Sequence, residues 1–401
     1  MTKLYQTVIW LASVAVLTCF IKMYVLMFLV MSVIIAMSSK LLGKNKSKNI
    51  IISDILILVS SFFALKGSKD LILPLGYSVF AFSAISLIVN QYRDYKDYTL
   101  LEILCYLFFF PKIFAGPIDR VDNFVEQLRE KKKPALEKLY PPIKMCIFAC
   151  FYKYVIADRI YHLCNEEYYG VNAVCSILCY GVAFFLDFYA YSIFAIAIGK
   201  LLGIDLPENF DSPYKSMSFR DFWKRWNITL GTWLRDYIYI PLGGNRVTMS
   251  QWSFNILLVF VVSAIWHDST APFILWGVIH AILLIVERHF CIKGNRLYRV
   301  VVFVICILLW QLFNVNSIEG FALRLSRCIE CQPIDISVVI CSILSIGVLW
   351  FANRGFTNEI IFRHRNTGHY ILKEVPITSI FLVLDILLAN NPSINFFYMK
   401  F

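Results

Sequence analysis

Apolar stretches recur from one end of the chain to the other. They lie near 6–21, 23–38, 49–65, 71–90, 98–114, 142–157, 171–200, 252–266, 272–287, 298–314, 335–352 and 376–390. A helix crosses the hydrocarbon core of a bilayer with about 20 mainly apolar residues. The pattern therefore predicts an all-α, polytopic membrane protein with roughly ten to twelve membrane segments. Several runs are short, so tilted, broken, re-entrant or interfacial helices are expected among them. The polar stretches 40–48, 91–98, 117–141, 203–225 and 353–374 are each too short for a soluble domain. Any chemistry must then occur in or against the bilayer, where polar side chains are expensive and default to functional candidates.

Composition agrees with the pattern. Over 401 residues the chain is 59% hydrophobic and only 16% charged, with a mean hydropathy of +0.66. These values exclude an ordinary soluble globular protein. The first run lacks a small-residue cleavage site and is followed almost at once by a second, so it reads as a span and not a signal peptide. The formal charge of +11 is spread over short loops such as Lys40–Lys48, Arg129–Lys133 and Arg288–Arg299. Basic clusters beside membrane segments hold loops at a bilayer surface, and no nucleic-acid partner is expected. Most of the 12 cysteines fall inside apolar runs. Cys146/Cys150 and Cys175/Cys179 have the spacing of packing residues on one helix face. Cys328-x-x-Cys331 lacks a matching second pair, so no metal site is expected. His162 and His289 close apolar runs, and His364 and His369 lie in a mixed-charge stretch; all four read as solvated or packed side chains.

One stretch stands out: SFRDFWKRWNITLGTWLRDY, residues 218–237. Phe219, Phe222, Trp223, Trp226, Leu230, Trp233, Leu234 and Tyr237 recur with a helical period. Ser218 followed by Asp221 resembles a capping box and marks a helix start. Arg220, Asp221, Lys224 and Arg225 form the opposite face, as on a helix lying in the membrane interface. Asn227 disturbs this reading, because the helical period puts its amide on the apolar face. A buried amide without partners costs on the order of 1–3 kcal/mol, so Asn227 either bonds another helix or faces a polar cavity. Arg235 and Asp236 follow, and then YIYIPLGGNR, where Pro241 and Gly243-Gly244 predict a tight turn. Further on, His267 closes an apolar run in VVSAIWHDSTAPF, and His280 lies in the next run. A straight helix would hold these two histidines about 20 Å apart. The polar break at 268–272 permits a hairpin instead, which would let both approach one cavity. A neutral histidine there can act as a general base or satisfy an interhelical hydrogen bond.

No Walker loop, HExxH, GxSxG or dinucleotide fingerprint is present, which disfavours ATP-driven pumps, zinc proteases and α/β-hydrolase esterases. The blocks FPKIFAGPIDRVDNF (110–124), DFYAYSIFAIAIGKLLGIDLPENFDSPY (187–214), SFRDFWKRWNITLGTWLRDYIYIPLGGNR (218–246) and AIWHDSTAPFILWGVIHA (264–281) together resemble the membrane-bound O-acyltransferase family. The terminal NFFYMKF (395–401) resembles the aromatic tail of its bacterial branch. Within that branch the blocks are similar to alginate O-acetyltransferase membrane subunits and to D-alanyl-lipoteichoic acid transferases.

The resemblance implies one integral-membrane domain over 1–401, with N-terminal membrane helices in 1–98 and the family core in 99–401. Its helices would form a ring around a thinned centre, in the cell membrane. It also implies that His267 is the catalytic base and that Asn227 stands at the second signature position. Trp226, Arg225, Arg235, Asp236, Asp268 and His280 would be wall or donor-contact residues. No bound cofactor is implied. An acyl thioester, either acetyl-coenzyme A or an acyl-carrier protein, would be the co-substrate, and an extracytoplasmic polysaccharide or other envelope polymer the acceptor. A carrier protein or an extracytoplasmic acetyl-transfer partner would complete the system. D-alanyl transfer to teichoic acid is the alternative reaction. A non-catalytic transporter of a polymer pathway is the alternative class, disfavoured because Asp187 and Asp385 are among few ionisable residues within the runs. Two positions depart from the family pattern. Bacterial relatives usually carry histidine at position 227, and glycine where this chain has Asp268. Asp268 would polarise His267 or merely cap a helix.

Overall fold

The apolar runs fold as helices because a bilayer offers no partner for a free backbone group, and a helix satisfies its own. The computed structural model describes residues 2–21, 24–67, 76–130, 139–164, 167–352 and 368–388. The tail 395–401 and most of the polar stretch 353–374, including His364, lie outside them. Among the described residues there is no strand, and seven helices are long and apolar enough to cross a membrane. Two shorter apolar helices, Ile336–Ala352 and Thr378–Leu388, accompany them. The molecule is an all-α, multi-pass membrane protein. The chain divides into two compact units, Met1–Pro142 with Phe194–Pro207, and Ile143–Ile193 with Glu208–Phe401.

The first unit opens with α1 (Thr2–Ile21), α2 (Tyr24–Lys44), α3 (Lys48–Gly67) and α4 (Tyr77–Arg93). Phe28 on α2 centres its core, with the rings of Phe80 and Tyr77 edge-on at 4.8 and 5.9 Å. The run 98–114 is not one helix. Thr99 and Glu102 form a reciprocal capping box that starts α5 (Leu100–Phe108), and Phe109 then breaks it before α6 (Phe110–Ile113). Pro111 supplies the cause, since it has no N–H to give the Leu107 carbonyl one turn earlier and its ring crowds that carbonyl. Arg129, on α7 (Val121–Glu130), clamps the buried Glu102 carboxylate with two bonds of 2.6 and 2.8 Å.

The second unit begins at Ile143, within α8 (Tyr140–Cys150), which continues through a π-helical turn, Phe151–Ala157, into α9 (Asp158–Leu163). From that turn Lys153 reaches two carboxylates, Asp158 at 2.7 Å and Asp187 at 2.9 Å, and Lys153 and Asp187 are fully buried. Asp187 sits on α10 (Gly170–Leu201), whose final residues belong to the first unit. Five further helices follow α11 (Phe219–Arg225) and α12 (Ile228–Leu234): α13 (Met249–His267), α14 (Ala271–His289), α15 (Arg296–Trp310), α16 (Ile318–Arg327) and α17 (Ile336–Ala352). The last described helix is α18 (Gly368–Leu388). The hairpin permitted by the break at 268–272 is formed by α13 and α14. They pack closely at Gly277, where an added Cβ would lie 2.7 Å from the Phe260 carbonyl oxygen.

Candidate functional site

The stretch 218–237 starts as its sequence predicts: the Ser218 hydroxyl accepts the Asp221 N–H at 3.0 Å. The reciprocal half of the box differs, since the Asp221 carboxylate accepts the N–H of Met217 at 3.2 Å. The single helix expected from the period is broken in two. Trp226 turns extended at φ −99°, and Asn227 adopts the left-handed conformation at φ 44° and ψ 54°, ahead of α12. Asn227 therefore stands at a corner between two helices and not on a helical face. Asparagine tolerates this conformation better than most residues, which lets the chain turn without glycine or proline.

A broken helix exposes backbone groups, and the segment before α11 supplies their partners. The Ile228 N–H donates to the Asn209 carbonyl at 2.9 Å, and the Asp211 N–H donates to the Arg225 carbonyl at 3.0 Å. The Thr229 hydroxyl donates to the Asn209 side-chain oxygen at 2.5 Å. Irregular backbone in a membrane protein persists where protein groups satisfy it or where it lines a cavity, and both conditions hold at Asn227. The sequence reading missed Asn209 as an organising residue. Its signal was the block LPENFDSPY, which carries no periodicity of its own.

The corner faces a cavity of about 360 Å³ lined by Trp226, Asn227, Arg235 and His267 among others. His267 is the last residue of α13 and is only 6% exposed. Trp276 stands edge-on to its ring at 5.7 Å and Phe313 at 5.3 Å. On the other wall Trp226 stacks on Trp310, with ring centroids 4.5 Å apart. Thr232 and Ser263 add polar groups that the sequence reading did not single out, and Lys224, expected on the opposite, interfacial face of the helix, also lines the cavity. Ser263 lies one helical turn before His267 on α13, the one signal that could have found it. The result is a largely aromatic cavity with a few polar groups, which is how small-molecule sites are built.

The other predicted residues fall outside the lining. Arg225 pairs with Asp221 at 2.9 Å and Asp211 at 3.1 Å, so it staples the corner from behind. Asp236 pairs with Arg235 at 2.9 Å. Asp268 ends α13, and its extended backbone donates its N–H to the Ala264 carbonyl at 2.9 Å. His280 is fully buried behind the wall, where its Nδ1 accepts the Trp223 indole N–H at 3.3 Å. Trp223 and Trp276 line the cavity and pack on His280 with centroids at 4.9 and 5.3 Å. His280 thus contacts the cavity through the tryptophans it orients.

These elements define a helical, multi-pass membrane protein with a buried histidine and asparagine on one cavity. The membrane-bound O-acyltransferase family model matches residues 4–316, and the chain belongs to that family. It is 31% identical over 261 residues to the "Probable alginate O-acetylase AlgI" of Pseudomonas aeruginosa, covering 62% of this chain and 50% of that protein. It is 30% identical over 322 residues to the "Peptidoglycan O-acetyltransferase" of Helicobacter pylori, 70% of this chain and 60% of that one. With the "Teichoic acid D-alanyltransferase" of Bacillus subtilis the identity is 31% over 250 residues, 57% of this chain and 62% of the other. The chain thus spans about half to three fifths of the length of these curated relatives.

Proposed function

We propose that the protein is an O-acyltransferase that moves an acetyl group from a thioester donor to hydroxyls of an extracytoplasmic polysaccharide or related envelope polymer. The observation that carries this reading is the meeting of His267 and Asn227, forty residues apart in sequence, on one largely apolar cavity. His267 takes the proton of the acceptor hydroxyl as its oxygen attacks the thioester carbonyl. The tetrahedral intermediate collapses with loss of the thiolate, which receives the proton from His267, leaving an ester and a free thiol. Asn227 supplies an amide that orients the acceptor or donates a hydrogen bond to the oxyanion. Acetyl-coenzyme A or an acyl-carrier protein would bring the acyl group. A carrier protein or an extracytoplasmic partner would complete the system. D-alanyl transfer to teichoic acid uses the same chemistry, and the likeness to the Bacillus subtilis protein favours it as the second reading.

The test is His267→Ala in intact cells, scored by ester content of the envelope polymer at equal protein abundance. Loss of a general base predicts a fall of about a hundredfold or more, with polymer export unchanged. Wild-type ester content would overturn the reading, and a parallel loss of export would support the transporter instead.

A further inference from the structure

The membrane helices of the second unit leave their loops at two ends, and the two ends differ in charge. At one end the start of α11, the turn before α13, the end of α14 and the loop before α15 meet around a cavity of about 760 Å³, lined by Arg220, Asn245, Leu284, Arg288 and Gly294 among others. Arg246, Lys293, Arg296 and Arg299 lie in the same loops or in the first turn of α15. The opposite end joins the start of α10 to the end of α15. There the Gln311 amide donates to the Ile177 carbonyl at 3.2 Å, and Asn172 bonds Pro333 and Asp335 in the loop before α17. Its charges are mostly acidic, with Glu167, Asp268, Glu319, Glu330 and Asp335, and its basic residues among those described are Arg159, Arg324 and Arg327. Lysine and arginine concentrate in cytoplasmic loops, and by that rule the second end faces outward. His267, the last residue of α13, lies toward the same end.

That end holds a polar cavity of about 120 Å³, lined by Glu167, Tyr168, Ser176, Arg324 and Arg327 among others. Amides hold Arg324 in place. One terminal nitrogen donates to the Gln311 oxygen at 3.2 Å. Asn314, its amide oriented to satisfy its bonds, accepts from both terminal nitrogens at 2.8 and 3.2 Å. Among the described residues, no carboxylate pairs with Arg324. Neutral bonds fix a guanidinium without cancelling its charge. Arg327 lies 5.3 Å from the centre of the Tyr169 ring and pairs with Glu167 at 3.0 Å. The Glu167 side chain is 70% exposed, so the pair contributes little and an incoming anion can displace it. Two guanidiniums against one exposed carboxylate leave the cavity with an excess of positive charge. Their planar forks of donors match the oxygens of a carboxylate or a phosphate. The Gln311–Phe313 turn that anchors Arg324 also sets Phe313 against His267, with ring centroids 5.3 Å apart.

We propose that this outward-facing cavity seats an acid group of the acceptor polymer, a carboxylate or a phosphodiester, while a hydroxyl of the same polymer stands at His267. The identity of the anion's carrier rests on the acyltransferase reading; the seat itself rests on the two arginines. An anionic lipid headgroup offers the same oxygens. The place of the seat, beside the turn that walls His267 and on the side where an extracytoplasmic polymer lies, favours the polymer.

The experiment uses the full chain with His267→Ala in phosphatidylcholine nanodiscs, where both faces are accessible and no turnover occurs. The probes are a short oligouronate and a short glycerol-phosphate oligomer. Each is titrated calorimetrically beside an uncharged counterpart, the carboxyl-reduced oligosaccharide and polyglycerol. At least one acidic oligomer is expected to bind about tenfold tighter than its counterpart, the scale of a charge-assisted contact. Arg324→Gln with Arg327→Gln removes that preference, and Arg324→Lys with Arg327→Lys keeps part of it. Glu167→Gln leaves both arginines in place and removes the competing carboxylate, so acid binding should tighten severalfold. No preference for either acidic oligomer, a preference that survives loss of both arginines, or no tightening in Glu167→Gln overturns the seat. Native mass spectrometry supplies the lipid arm: phosphatidylglycerol retained only when both arginines are present overturns the polymer assignment in favour of a headgroup. The sidedness has its own reporters, because Cys331 near the seat and Cys291 at the other end are both exposed. In intact spheroplasts an impermeant maleimide is expected to label Cys331 and spare Cys291. The reverse places the seat on the cytoplasmic side and overturns it as an acceptor site. Ester loss in His267→Ala cells reports on acyl transfer alone, and acid-dependent binding reports on the seat alone.

Discussion

Asn227 combines two demands that few residues meet together. Its backbone lies in the left-handed region at φ 44°, and its side chain is buried on the His267 cavity. Asparagine, aspartate and histidine are the non-glycine residues most enriched in that conformation. The backbone thus gives a physical reason why asparagine can stand at a position where the family resemblance leads one to expect histidine. Asn227→His is expected to fold as the wild type does and to retain polymer acylation if the position requires only a polar hydrogen-bonding group. Asn227→Val forces a β-branched residue into the same region and should lower stability by about 1–3 kcal/mol, read as a fall in Tm of the purified protein. Asn227→Gly separates the two demands: stability is kept, while ester content falls by about tenfold for the lost hydrogen bond. The sequence exposed this residue as an anomaly on an apolar face. It could not show the corner, because the apolar period runs through the break without interruption.

At the scale of elements, the α13–α14 hairpin delivers His267 and Trp276 to the same cavity. A side chain at Gly277 would meet the Phe260 carbonyl at 2.7 Å and the Ala264 methyl at 2.9 Å, both on α13. Backbone cannot yield as a flexible side chain can, so the helices must separate. Gly277→Ala is predicted to destabilise the protein by about 1–3 kcal/mol. The same shift displaces Trp276 from the His267 ring, so kcat should fall more than stability alone explains when activity is measured below Tm. The hairpin was legible from the polar break at 268–272 and Pro272. The break in the run 98–114 was not singled out, although Pro111 lies inside it. Nor was the division of 218–237 into α11 and α12, which depends on the backbone of Asn209 and Asp211 reaching the corner.

Across the whole molecule, a strongly apolar chain keeps a few buried charges among its described residues, and some of them are held in ion pairs, as Glu102 is by Arg129. Lys153 between Asp158 and Asp187 is the clearest, anchoring the π-helical turn to α10. A buried pair stripped of one partner costs far more than the intact pair contributes. Lys153→Met should therefore destabilise by about 3–5 kcal/mol, seen as a lower Tm or loss of detergent-stable protein. Adding Asp187→Leu should recover part of that loss, whereas a simple packing defect would deepen. Asp187 was visible in the sequence as an acid inside an apolar run, but its partner, 34 residues earlier, was not.

By itself the sequence determined the membrane class, the helical character of its apolar runs, the family resemblance and the two residues on which the proposed chemistry turns. Hydropathy and motif spacing are local quantities, written along the chain, and a bilayer leaves them little choice but helix. The tertiary structure alone decided that Asn227 stands at a left-handed corner, that Arg225 is tied to Asp211 and Asp221, and that His280 lies behind the cavity wall. It alone made Leu284 a lining residue of both the His267 cavity and a second cavity. Those outcomes depend on which distant backbone groups close a broken helix and which side chains meet across helices, and no local pattern encodes such meetings.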